Sequence, residues 1–113
     1  MNTRKINILF FVLFSITFYG QKTITFPSSD GLLLTADLYV DNKSDPYFIL
    51  FHQEESSRGE YRDIAFKLMK FGYNCLAVDL RAGKEYGFIK NESYQLAIQT
   101  GKNTDYVNCL QDI

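Results

Sequence analysis

Tyr47-Phe48-Ile49-Leu50-Phe51-His52-Gln53-Glu54-Glu55-Ser56-Ser57 is the stretch on which the fold reading turns. Five consecutive apolar residues without alternation are the pattern of a strand covered on both faces. They run into a polar loop that opens on the one histidine of the sequence. This strand is expected at the centre of its sheet. Downstream, residues 60–71 place Tyr61, Ile64, Ala65, Leu68 and Phe71 at helical spacing, with Arg62, Asp63, Lys67 and Lys70 on the other side and Gly72 as the stop. Residues 74–79 carry Cys75-Leu76-Ala77-Val78, a second strand of buried type. Strand, helix and strand at this spacing predict a right-handed βαβ unit with parallel strands. Upstream, residues 23–26 and 32–39 are β-prone, and Pro27-Ser28-Ser29-Asp30-Gly31 between them ends in a strong turn dipeptide. The expected class is therefore α/β, a β-hairpin followed by a βαβ unit in a mostly parallel sheet.

The remaining chain is less decided. Residues 80–103 are rich in Gly, Lys, Glu and Asn and read mostly as loop, with a short turn of helix around 94–99. Residues 105–113 resume helical spacing through Tyr106, Cys109, Leu110 and Ile113, with Thr104 as the N-cap. The sequence is 113 residues long, room for one small domain. At 46% hydrophobic and 16% aromatic it has the composition of a packed core and not of a disordered tail. Its formal net charge of -1 provides no strongly basic face, which removes nucleic acid as a partner.

Arg4 and Lys5 followed by the apolar residues 6–18 form the pattern of a secretory signal peptide, with cleavage expected after Gly20. The expected organisation is a signal peptide over 1–20 and a folded part over 21–113, exported to the periplasm or the extracellular space. Left uncleaved, the same segment would anchor the chain to a membrane. Export does not require Cys75 and Cys109 to pair, and Cys75 in an apolar strand reads as a buried thiol. Sequons occur at Asn42-Lys43-Ser44 and Asn91-Glu92-Ser93.

Two spots could carry chemistry. The carboxyl ends of parallel strands are where loops and helix N-termini converge on ligands, and His52 stands at such an end. It reads either as an architectural or oxyanion-side histidine or as one that ends a strand and bonds nearby backbone. Asp79-Leu80-Arg81-Ala82-Gly83 ends the next strand on the same edge, and Asp79 and Arg81 are expected to tie the loops together as an ion pair. The sequence has no GxGxxG and no phosphate-cradling loop. Gly83-Lys84-Glu85-Tyr86-Gly87 has glutamate where a GxSxG elbow has its nucleophile. A single histidine excludes a histidine-rich metal site, and any serine nucleophile would need His52 as its base.

The order of these pieces resembles the N-terminal part of the α/β-hydrolase superfamily, most of all its dienelactone-hydrolase-like branch: a hairpin ending in Asp30-Gly31, an apolar strand into His52-Gln53, a helix from Glu60-Tyr61 to Gly72-Tyr73, and Asp79-x-Arg81-x-Gly83. The resemblance covers residues 23–113. It implies a carboxylic ester or acyl hydrolase scaffold without cofactor or metal, whose loop at His52, Gln53 and Glu54 lends a backbone N–H near Glu54 to an oxyanion hole. Relatives carry glycine or other small residues here, and this chain carries a bulky, acidic loop. The family's nucleophile, acid and base follow later in the fold, so the resemblance implies an incomplete fold without catalytic residues. A small ester or acyl substrate would bind only once the missing part is supplied. The strand 47–51, lacking its second neighbour, would leave an edge open to self-association. The competing readings are a non-catalytic secreted or membrane-anchored binding module and an unrelated small α/β enzyme using Asp79, Arg81 and the glutamates.

Overall fold

The computed structural model describes residues 20–113, so the expected signal peptide lies outside the described residues but for Gly20. β1 (Gly20–Pro27) and β2 (Leu33–Val40) form the expected antiparallel hairpin, in register from Gly20 opposite Val40 to Pro27 opposite Leu33. Gly20 is thus the first paired residue of β1. β3 (Tyr47–Phe51), α1 (Arg62–Lys70) and β4 (Asn74–Val78) are the βαβ unit, with β3 and β4 parallel. A 3₁₀ turn over Arg58–Tyr61 leads into α1.

The strand order is β1-β2-β4-β3, and this corrects two expectations. The sheet is mixed and not mostly parallel, because β2 runs antiparallel to both of its neighbours and β3 with β4 is the only parallel pair among the described residues. A lone crossover makes one parallel pair, and the hairpin inserts β2 on the other side of β4. Among the described residues, moreover, β3 is an edge and not the centre, and Ile49 in its middle is 57% exposed. An unbroken apolar run states that a strand wants cover on both faces without stating which element supplies it.

Alternation sorts the core onto the two faces of the sheet. Leu34 and Ala36 of β2 and Val78 of β4 point to one face, where Ala97 of α2 (Glu92–Gln99), Leu80, Ala82 and Cys109 cover them. Tyr39 of β2 and Cys75 and Ala77 of β4 point to the other, beneath Ala65 of α1. Small residues along β4 let α1 lie close. The two cysteines are free and buried on opposite faces of the sheet.

The inward side of α1 is Ala65, Leu68 and Met69, whereas Ile64 and Phe71 of the expected apolar stripe are exposed. The helix stops at Gly72, whose φ of 85° is the left-handed conformation that favours glycine. The Gly72 N–H donates to Met69 O and the Tyr73 N–H to Leu68 O, the paired bonds of a Schellman cap.

Residues 80–103 hold more structure than expected. β5 (Glu85–Tyr86) and β6 (Ile89–Lys90) form a small hairpin, and α2 runs for eight residues. Near the end, Tyr106–Gln111 is a 3₁₀ helix and not an α-helix, and Asp105 takes the cap position expected for Thr104.

Candidate functional site

The loops leaving β3 and β4 meet at the carboxyl edge of their parallel pair. His52, the first residue past β3, is buried between them. Its Nε2 lies 2.8 Å from the Leu80 N–H and its Nδ1 2.7 Å from the Gln53 carbonyl. An amide N–H can only donate, so Nε2 accepts, and the ring proton sits on Nδ1 and donates to the Gln53 oxygen. Both nitrogens are committed to backbone. His52 therefore fixes one loop against the other, and no serine has it as a free base.

Asn91 completes this junction, and its role was missed in the sequence. Its Nδ2 donates to Leu80 O at 2.7 Å and to Ser56 O at 3.2 Å, and lies 3.3 Å from His52 Nε2. Its Oδ1 accepts the Tyr94 N–H at 2.8 Å and so caps α2. An asparagine placed three residues before Tyr94 at the head of a helical stretch is a capping signal, and it competes in the same letters with the sequon. Because Asn91 is fully buried, that sequon is closed in the folded chain, whereas Asn42 is exposed. Gly83 is the counterpart of Asn91: a Cβ there would overlap Asn91 Nδ2 and the Ser56 carbonyl and press on His52 Cε1.

Over this base the segment Gln53-Glu54-Glu55 is exposed. Ser56 N–H donates to Gln53 O at 3.2 Å, closing a turn in which Glu55 adopts φ 65°. A positive φ at the third position is the signature of a type II turn, where glycine is usual. Glu55 N–H reaches Ala82 O at 3.3 Å, and Gln53 N–H donates to Glu60 Oε2 at 3.0 Å. The Glu54 N–H donates to none of the described residues.

Asp79 and Arg81 do not pair with each other, which corrects the expected ion pair. Asp79 accepts from the Arg58 N–H at 2.6 Å, from Arg58 Nη1 at 2.7 Å and from the Glu92 N–H at 2.9 Å. It thereby holds the start of the 3₁₀ turn and the start of α2 at once. Burial pushes its carboxyl up, and Arg58 and the two amides pull against it. Arg58 Nε stands 3.2 Å from Asp37 Oδ1 without the alignment of a hydrogen bond, so this leg is a charge contact.

Arg81, 1% exposed, turns the other way. Its Nε and Nη2 donate to Asp112 Oδ1 at 3.0 and 2.7 Å, and Nη1 and Nη2 grip the two oxygens of Asp30 at 2.8 and 2.7 Å. A guanidinium fork matches two carboxylates better than it could match one neighbour two residues away. The side-chain bonds from Arg81, followed by that from Ser28, hold the Asp30 carboxyl well below its ordinary value.

Among the described residues no cluster of three or more His, Cys, Asp or Glu is placed to hold a metal ion, and no helix is long and apolar enough to cross a membrane. An open cleft lined by Lys22, Leu38, Val40, Asp41, Lys43 and Tyr47 lies at the opposite end of the strands from His52. The chain matches no protein-family model, no curated protein and no solved structure.

Proposed function

We propose that this domain is the oxyanion side of an exported carboxylic ester or acyl hydrolase, the N-terminal part of an α/β-hydrolase-like fold of the dienelactone-hydrolase-like branch. The observation that carries the reading is the loop at His52, Gln53 and Glu54. It sits at the carboxyl end of a parallel strand, braced from below by Leu80 and Asn91, with the Glu54 N–H unpaired among the described residues. A preorganised amide of this kind stabilises a developing oxyanion, and removing one such donor costs about 10²- to 10³-fold in turnover. With both nitrogens of His52 bonded to backbone, the attacking group and its base come from outside the described residues. The domain is inactive alone, and a small ester or acyl compound is the substrate of the completed enzyme.

The test is anion binding by the full chain. Titration with a phosphonate monoester, which presents the charge of an acyl-transfer intermediate, moves the Glu54 amide resonance in wild type. The shifts that binding causes at the neighbouring Glu55 and Ser56 amides disappear in Glu54→Pro, which removes the Glu54 N–H at a turn position where proline is favoured. Activated esters are not turned over above buffer. An unmoved Glu54 amide, or stoichiometric labelling of the chain by a fluorophosphonate, overturns the proposal.

A further inference from the structure

We infer that Asp30-Gly31 is a modification site, where the chain converts its own peptide bond to an isoaspartyl linkage, and that Arg81 and Ser28 hold this site shut while the domain is folded. It is the one Asp-Gly or Asn-Gly dipeptide of the sequence. The pairing matters because the attacking group is the amide nitrogen of the second residue, and glycine puts no side chain in its way.

The reaction is a ring closure followed by an opening. The Gly31 nitrogen forms a bond to Asp30 Cγ, the Cγ–OH bond breaks, and the amide proton leaves with the hydroxyl as water. Water then opens the five-membered imide. Addition at Cγ restores aspartate, whereas addition at the α-carbonyl leaves the chain running through the β-carbon. One water is released and one is taken up, and the sequence needs no other reactant.

The folded turn opposes closure at both reacting atoms. Arg81 Nη1 and Nη2 hold the two carboxylate oxygens at 2.8 and 2.7 Å, and Ser28 Oγ donates to Oδ1 at 2.5 Å. Lys102 Nζ stands 3.8 Å from Oδ2. A carboxylate could leave only as oxide, so the neutral acid is the form that reacts. With Arg81 and then Ser28 holding it well below its ordinary value, the carboxyl keeps at most about a tenth of the neutral form it has in a free chain. At the nitrogen, the Gly31 N–H donates to Ser28 O at 3.1 Å. The same turn is closed by Ser28 N–H to Leu32 O at 2.8 Å and by Leu32 N–H to Ser28 Oγ at 3.0 Å. The nitrogen must give up its bond while the carboxyl leaves the Arg81 fork, and that fork is fixed from behind by Asp112.

The change is one-way for the fold. An isoaspartyl linkage adds a backbone atom to the turn between β1 and β2 and shortens the acidic side chain by a carbon. Arg81 then loses one of its two carboxylates. The same turn carries the end of the chain, since the Ser29 N–H and Oγ donate to Gln111 O at 2.9 and 3.0 Å. A chain that isomerises while open cannot rebuild this cluster. The inference does not rest on the hydrolase reading.

The test incubates the full chain in neutral buffer made with heavy-oxygen water. Each closure and opening leaves a heavy oxygen on residue 30, read by mass spectrometry of the tryptic peptide, with Asp37 and Asp41 on the same peptide as controls. The urea-unfolded chain is expected to label at Asp30 at least about tenfold faster than the native one. Arg81→Lys keeps a charge and loses the fork, and should label faster than wild type after subtraction of the share due to its unfolded fraction, measured by urea denaturation. Should Arg81→Lys not fold by circular dichroism, Ser28→Ala decides, since it alters a half-buried turn residue. Losing that one bond is expected to speed native labelling about two- to tenfold. Native wild type labelling as fast as in urea, a folded variant no faster than wild type, or equal labelling at Asp30, Asp37 and Asp41 overturns the inference.

Discussion

The loops that leave β3 and β4 occupy equivalent places in the fold and are built in opposite ways. Residues 79–83 after β4 are all buried, and the side chains of Asp79 and Arg81 are fully engaged. Residues 53–55 after β3 are exposed, and one of them holds a left-handed backbone. The buried loop is the base on which the exposed one rests, through Leu80 to His52, Ala82 to Glu55 and Asn91 to Ser56. The difference divides the labour of the site. Stability resides in the β4 loop, and the β3 loop, exposed, is where the proposed function places its oxyanion donor.

The largest effect is expected at Arg81. Arg81→Ala leaves Asp112 and Asp30 without their shared cation, and breaking a buried pair in this way costs about 3–5 kcal/mol. Against a total of about 5–15 kcal/mol for a domain, urea denaturation should show a variant close to unfolding. Glu54→Ala, in the exposed loop, should stay within about 0.5 kcal/mol of wild type. Equal losses at the two positions would break the comparison.

Gly83→Ala is the next largest. The added methyl overlaps an amide nitrogen and a carbonyl that belong to the His52 junction, and none of them is the far end of a flexible side chain. Overpacking of this kind costs about 1–3 kcal/mol. The same variant should shift the His52 ring signals in NMR, since the strain falls on Cε1.

Legibility in the sequence followed the range of the interactions. The β1–β2 hairpin, the βαβ unit and the Gly72 stop were readable because turn residues and helical spacing act over a few positions. Arg81 was visible, but its partners were not: Asp30 lies 51 positions away and Asp112 lies 31 away. No local rule predicts which carboxylates a guanidinium will reach. The apolar run alone pointed β3 to the centre, and only the family resemblance implied an open edge beside it, since burial preference is local and sheet order is not. At the site, His52 was singled out by type and position. Asn91, which braces the same loop, was masked by the sequon it also satisfies.

A pH titration separates the two ends of the Arg81 cluster. Arg81 depresses the Asp30 carboxyl in the folded state from its ordinary 3.8. A depressed acid contributes stability that is present above the unfolded-state value and is lost as pH falls through the folded one. Wild type should therefore lose stability progressively below about pH 4, and Asp30→Asn should show a flatter acid limb by chemical denaturation. Asp79, whose carboxyl burial pushes up, works in the opposite sense and is common to both proteins, so it cancels in the difference. Identical acid limbs would mean that Asp30 is not held by Arg81 in solution.

The smallest effect lies in the exposed loop and has the opposite sign. Glu55 adopts φ 65°, a conformation that costs an L-residue roughly 1–2 kcal/mol relative to glycine. Glycine gives back about 0.5–1 kcal/mol through its greater freedom in the unfolded chain. The ion pair that Glu55 makes with Lys84 at 3.5 Å is exposed on both sides and adds little. Glu55→Gly should therefore stabilise the domain by about 0.5–1 kcal/mol, measured by urea denaturation. It should also leave the Glu54 amide response to phosphonate in place, because glycine is the residue that this turn position prefers. A loss of stability would show that the turn relaxes away from its left-handed form in solution, and the Glu54 N–H would then lack the fixed aim that the proposed oxyanion hole requires of it.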